Sequence, residues 1–264
     1  LEHTYWKKQT NNKPLYPDVE WNKPEQKSQS GRLGIIGGNK LGFAGVADAY
    51  AAATDSGVGQ IRILLPDVLR KTIPPAMTDV IFGATNPSGS LAHDAQAEMQ
   101  ALSSWSTGIL LIGDAGRNSE TAILYEHFLE DYQGPLTITR DAIDLIKNSS
   151  ASLVDRPETL LVMSFAQLQK LFRAVYYPKM LTFNMQLAQL VETLHKFTIT
   201  YPCSIIVFHK DYLIAAHGGD VTTTDWENPM AIWRGQTATR AASYWLWNRT
   251  LPLAAITASV IQKT

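Results

Sequence analysis

Cysteine is nearly missing from this chain: Cys203 is the only one. That excludes a disulfide-stapled scaffold and any metal site built from several thiolates. Histidines stand singly at 3, 93, 127, 195, 209 and 217. No H-E-x-x-H pair occurs, and a helix would turn the neighbours His93 and Asp94 apart, so no metal site is expected. Charge of one sign is lacking too. A formal net charge of −1 gives no field for nucleic acid or an anionic membrane. No apolar run approaches the ~18 residues a membrane helix needs. The opening LEHTYWKKQT shows no apolar core of a secretory leader. Asn148-Ser-Ser and Asn248-Arg-Thr therefore read as chance matches to the glycosylation pattern, and a reduced, cytoplasmic setting is the expectation. Several catalytic signatures are absent as well. In GGNKLG the spacing of Gly37, Gly38 and Gly42 misses the dinucleotide fingerprint. No Gly-Lys-Ser/Thr, G-x-S-x-G or C-x-x-C occurs.

What is present is an ordinary globular balance, with 45% hydrophobic and 18% charged residues. Residues 1–31 are polar and proline-bearing and read as an extended arm that packs through Leu15, Tyr16 and Trp21. From Arg32 the pattern changes to short apolar runs alternating with helical segments. RLGIIGG, QIRILLP, GILLIG, PLTIT and TLLVM read as buried strands. GVADAYAAATDS, closed by Gly57, reads as a helix, as does NSETAILYEHFLEDY with Asn118 and Ser119 as cap candidates. CSIIVFHKDYLIAAHGGDVTT reads as two or three adjacent strands. Such alternation predicts a mainly parallel sheet covered on both faces, in one domain over 32–264. Ligands bind such sheets outside the carboxyl ends of the strands. That makes the turns at 37–42, 113–116, 139–141 and 228–238 the expected functional rim. Asn86–Ser90 (NPSGS) reads as a loop able to hold a phosphate or hydroxyl, or simply as a capped turn.

Taken in order, these turns resemble the ribokinase-like fold, a three-layer α/β/α architecture. More narrowly they resemble the ADP/ATP-dependent NAD(P)H-hydrate dehydratases, related to carbohydrate kinases, in a divergent form. GRLGIIGGNKLGFAGVADAYAAATDSG is similar to that family's opening strand, turn and helix. TGILLIGDAGRNSE resembles its GPGLGR turn, with Gly113 and Gly116 matching. PLTITRDAIDLI resembles VLDADALN, with Asp141 matching the second aspartate and Thr139 replacing the first. NPMAIWRGQTATRAA lies where the family has NPGMATGGSGDVLAG. There the resemblance implies an anion hole at a helix start and an aspartate base. Aligned without gaps, Arg234, Gly235, Gln236, Thr237 and Ala238 take the places of GGSGD, and Ala238 cannot accept a proton. Ser164 and Gln167 replace the histidine and glutamate of TPHPGE, and His209 replaces the lysine of LKG.

The resemblance implies ligand contacts at Gly37, Gly38, Asn39, Gly42, Gly113, Gly116, Asn228, Arg234, Gly235, Gln236 and Thr237, with ATP or ADP and magnesium as implied cofactors. Asp114 and Asp141 are the candidate catalytic carboxylates, with Asp220 and Asp225 as further acids near the rim and Arg234 or Arg240 able to offset phosphate charge. General-base and electrostatic terms are each worth about 10²–10⁴-fold in rate, so their loss leaves little phosphoryl transfer. The leading expectation is a homologue that keeps nucleotide or nicotinamide-type ligand binding with lost or weak catalysis. Two alternatives are an active small-molecule kinase or dehydratase with relocated acids, and a structural or assembly module. Trp226, Trp233, Trp245 and Trp247 crowd the last third and suit either an oligomer interface or core packing. A homo-oligomer is expected.

Overall fold

The apolar runs assemble into one sheet. The computed structural model describes residues 4–261. Along the chain come β1 (Trp6–Gln9), α1 (Asp18–Trp21), β2 (Arg32–Gly37), α2 (Ala44–Ser56), β3 (Gln60–Pro66), β4 (Val80–Gly83), α3 (Gln96–Trp105), β5 (Gly108–Gly113), α4 (Ser119–Asp131) and β6 (Leu136–Thr139). Then follow α5 (Asp141–Leu145), α6 (Ser150–Asp155), β7 (Thr159–Ser164), α7 (Phe165–Ala174), α8 (Leu187–Thr200), β8 (Ser204–His209), β9 (Tyr212–His217), β10 (Asp220–Asp225), α9 (Pro229–Trp233), α10 (Gln236–Leu246) and α11 (Pro252–Ser259). The ten-stranded order is β1-β10-β9-β8-β7-β6-β5-β2-β3-β4. Only β9 runs against the others, pairing antiparallel with both β8 and β10.

Period-2 alternation within each strand feeds two cores. Ile36, Leu64, Leu111, Ile138 and Leu161 face the layer holding α3, α4, α7 and α8. Ile35, Ile63, Leu110, Ile112 and Val162 face α2, α10 and α11. A strand buried on both faces gains nothing from polar alternation, which is why β2, β5 and β7 read as unbroken apolar runs. The architecture is three-layer α/β/α with a mostly parallel sheet.

The N-terminal stretch adds β1 to the sheet edge beside β10, Trp6 opposite Val221 and Gln9 opposite Thr224. Gln9 is buried and donates to Thr224 Oγ1 at 3.2 Å and Thr257 O at 2.8 Å. Helix α1 docks beside α11, and the Tyr244 hydroxyl of α10 donates to Glu20. Asn118 caps α4, its side-chain oxygen accepting from Glu120 N and Thr121 N. The NPSGS loop closes on itself: Asn86 accepts from Ser88 and Ser90 backbone N–H groups and donates to Leu91 O, Asn118 and Thr121. No helix among the described residues is long and apolar enough to cross a membrane.

Candidate functional site

The parallel strands end on one rim, where β2 stops at Gly37, β5 at Gly113, β6 at Thr139, β7 at Ser164 and β8 at His209. Positive φ at Gly113 (93°) and Asp114 (56°) tightens the turn after β5. The next two N–H groups then face one point, a backbone anion nest. Asp141 occupies it: Asp114 N donates to Oδ1 at 2.8 Å and Ala115 N to Oδ2 at 3.0 Å. Both oxygens of this candidate base are therefore committed to holding a turn.

Asp114 is equally committed. Its Oδ2 accepts from Gly45 N, in the first turn of α2, at 2.6 Å, and its Oδ1 meets Arg140 Nη2 at 2.7 Å. The pair is shielded, with side-chain exposures of 22% for Arg140 and 18% for Asp114. Arg140 Nε also donates to Trp233 O at 2.9 Å, and Nη1 points at Ile112 O at 3.4 Å. Space for the guanidinium exists because residue 45 is glycine; a β-carbon there would collide with Arg140 and Asp114. Both partners have positive φ, 56° and 57°, a conformation costing about 1–3 kcal/mol per non-glycine residue, which the surrounding bonds must offset.

Beside Arg140 starts α10. Gly235 precedes it in the left-handed conformation, φ 85°, with no side-chain cap. Among the described residues the N–H groups of Gln236, Thr237 and Ala238 have no acceptor; Thr239 N is the first to close, onto Gly235 O at 3.0 Å. The Thr237 hydroxyl is buried without a hydrogen-bond partner. Ala238 is fully buried and brings no carboxylate to this helix start. Free N–H groups at a helix N-terminus and the dipole behind them favour an anion.

A cleft of about 800 Å³ opens along the rim, bounded by Arg140, Ser164, Gln167, Phe183, Lys210 and Trp233. Phe183 (65% exposed) and Trp233 (63% exposed) present aromatic surface at its mouth. Ser164 and Gln167 form a capping box at the start of α7, and Gln167 Nε2 also donates to Arg140 O at 2.8 Å and Asp144 Oδ2 at 2.9 Å. His209 is buried, stacks on Phe165 with ring centroids 4.4 Å apart, and bonds Met185 O at 3.2 Å. Burial holds its pKa below the ordinary 6.5, so it stays neutral at pH 7 and does not replace a lysine cation.

Several of the other expected contacts have internal partners. Gly37 pairs with Gly113, and Gly38 N donates to Gly113 O at 3.0 Å. Asn39 is buried and tied to Ser90 Oγ at 2.6 Å and Ser88 O at 3.1 Å; it faces Gly42 across a tight turn, and Gly116 lies beside it. Asn228 caps α9 through Ala231 N at 3.3 Å. Arg234 is exposed, whereas Arg240 straps α10 to Ser259 O and Ile261 O. Asp225 lies level with Tyr212 at the His209 end of the sheet, but Asp220 pairs with His217 at the opposite end. The expectation of Asp220 on the rim is thus corrected: antiparallel β9 carries the chain away before β10 begins. Trp226 and Trp245 are buried and Trp247 is partly covered, leaving Trp233 as the exposed member of that group. Sequence reasoning missed Arg140, Phe183 and Lys210. The available signal was an arginine set directly beside Asp141 in a strand-end turn.

A magnesium ion held by protein carboxylates does not fit these residues. Hard cations need several free oxygens. Asp114 and Asp141 have both oxygens bonded to donors, and Asp144 is taken by Lys170 Nζ at 3.1 Å and Gln167 at 2.9 Å. No group of three His, Cys, Asp or Glu capable of holding a metal occurs among the described residues.

No family model matches the sequence, and no curated protein matches it. Solved structures do. A ribokinase-like superfamily protein from Enterococcus faecalis superposes with TM-score 0.68 at 15% identity, covering 99% of this chain and 87% of its own. The fold is ribokinase-like. The ADP/ATP-dependent NAD(P)H-hydrate dehydratase from Bacillus subtilis, co-crystallized with ATP/Mg2+, matches with TM-score 0.60 at 14% identity over 90% of this chain and 79% of that one. Phosphomethylpyrimidine kinase from Clostridium difficile matches with TM-score 0.53 at 10% identity over 86% of this chain and 97% of that one. At such identities the likeness is one of fold, and function must be argued from the site.

Proposed function

We propose that this chain is a divergent relative of the NAD(P)H-hydrate dehydratases and carbohydrate kinases that binds a nucleotide or nicotinamide-type ligand at the rim and has little or no phosphoryl-transfer activity. One observation carries the reading: the start of α10 offers three unbonded N–H groups and a buried, unpartnered Thr237 hydroxyl, while the residue expected to be the base is Ala238. Positioning groups remain and a proton acceptor does not. Two rim aspartates that could have replaced it, Asp114 and Asp141, are spent on backbone N–H groups and on Arg140. The adjoining cleft supplies an aromatic mouth for a flat ring. In this reading residues 32–264 are the ribokinase-like unit and residues 1–31 an N-terminal arm; its Trp21, expected to pack, is instead 85% exposed. Exposed Tyr176 and Met180 on the α7–α8 connection favour a homo-oligomer. The setting is cytoplasmic, consistent with a single, buried Cys203 whose thiol burial pushes up to about 12.

The test is calorimetric titration with ATP and ADP, alongside an assay for ATP- or ADP-dependent conversion of hydrated NADH. Saturable binding without turnover is expected. Turnover that vanishes in Asp114→Asn or Asp141→Asn, while binding persists, would instead establish relocated catalytic acids.

A further inference from the structure

Resting on the ligand-binding reading above, we propose that Arg140 takes the place of a divalent cation at the α10 start, so that the site binds a phosphoryl anion carried on a flat aromatic ring without magnesium.

The site needs positive charge from somewhere. A terminal diphosphate carries two to three negative charges, and three N–H groups with a helix dipole offset only part of that; the dipole itself is equivalent to about half an elementary charge. Asp114, Asp141 and Asp144 are poor recruits for a metal to make up the difference, because every oxygen of the three already accepts from a donor. What the chain does place there is a guanidinium, and its placement is elaborately fixed. Arg140 reaches back from a strained backbone position and is gripped by Trp233 O, Ile112 O and Asp114. Its Cδ lies 3.4 Å from where a β-carbon on Gly235 would stand, so the guanidinium stem runs along the entry to α10. The space it occupies depends on Gly45.

Those three contacts use one hydrogen on each guanidinium nitrogen, leaving two N–H donors of the five. Arg140 is also one of the residues lining the 800 Å³ cleft. A planar fork with spare donors is suited to bidentate phosphate recognition, and it is permanently charged. Lys210 lines the same cleft and adds a second cation. Trp233, whose carbonyl orients Arg140, is exposed and lines the same cleft as Phe183. Asp114 is a positioning residue in this scheme: it holds the guanidinium in place.

ADP, adenosine and inorganic pyrophosphate, titrated calorimetrically in EDTA and again in excess magnesium, provide the test. Wild-type protein is expected to bind ADP in EDTA with an affinity within about threefold of that in magnesium. Arg140→Gln should weaken ADP and pyrophosphate at least about tenfold, the value of one charge-assisted bidentate contact, and leave adenosine unchanged. Because Arg140→Gln also leaves Asp114 facing the anion, the double variant Arg140→Gln/Asp114→Asn should remain weak for ADP. Recovery of wild-type affinity in the double variant would mean that Asp114 repulsion, not loss of the guanidinium, caused the defect, and would overturn the proposal. A strict magnesium requirement in the wild type, which needs no variant at all, would overturn it too. Failure of the wild type to bind ADP in either condition would sink the ligand-binding reading itself.

Discussion

At the turn after β5, two backbone N–H groups face a single point and Asp141 fills it; at the start of α10, three N–H groups lie open. Both are nests made by the same means, a left-handed residue just before the donors, Gly113 and Asp114 in one and Gly235 in the other. The difference lies in what the chain supplies to fill them. The first nest has a carboxylate delivered from the neighbouring turn and becomes a structural joint. The second has Ala238 where an acid was expected, a hydroxyl with no partner, and a guanidinium alongside. A carboxylate close to phosphate-binding groups is thus no evidence of a base until its hydrogen bonds are counted.

If the first nest is a joint, breaking it is a stability experiment. Asp141→Ala removes a charged acceptor from two N–H groups and should cost about 2–4 kcal/mol in urea unfolding, with Asp141→Asn costing less. A loss below about 1 kcal/mol would show that the turn is held by something else. If the second nest is a binding site, Gly235→Ala should do two things. It should lower stability by about 1–2 kcal/mol through the left-handed strain, and lower ADP affinity because Ile112 must move aside. Gly42→Ala is the matched control, since a β-carbon there meets nothing within 4 Å; its unfolding midpoint should stay unchanged. Asn118→Ala, which strips the cap from α4 without touching either nest, should cost about 1 kcal/mol and leave ADP affinity alone.

The smallest effect is on acid stability. Burial holds the His209 and His217 pKa values below 6.5, so on acidification the unfolded chain takes up protons first. Their contribution is complete above pH ~6.5 and is lost as pH falls through the folded values. Stability should therefore decline below that pH, and His217→Asn should flatten the decline. An unchanged slope would contradict the burial argument.

The fold was legible because its signals are local. Unbroken apolar runs meant strands covered on both faces, Gly57 closed α2, and Asn118 capped α4. The four turns placed on the rim were legible for the same reason, since a parallel sheet puts every strand's carboxyl end on one side. What could not be read was how polar side chains pair across that rim. Asp114 and Asp141 looked available because their partners, Gly45 N and Ala115 N among them, belong to distant elements or to backbone that carries no sequence signal. Arg140 sat in a turn already placed on the rim, but its role was not legible because it depends on the glycine at 45, 95 positions away. Asp220 was misplaced because the reversal at β9 is a property of the sheet order.

One measurement bears most directly on the central claim that an anion cradle has outlived its proton acceptor. Single-turnover mixing of excess protein with radiolabelled ATP and hydrated NADH would follow binding and phosphate release together. The account predicts saturable ATP binding with no phosphate released above the protein-free control. Stoichiometric release within the first turnover would contradict it.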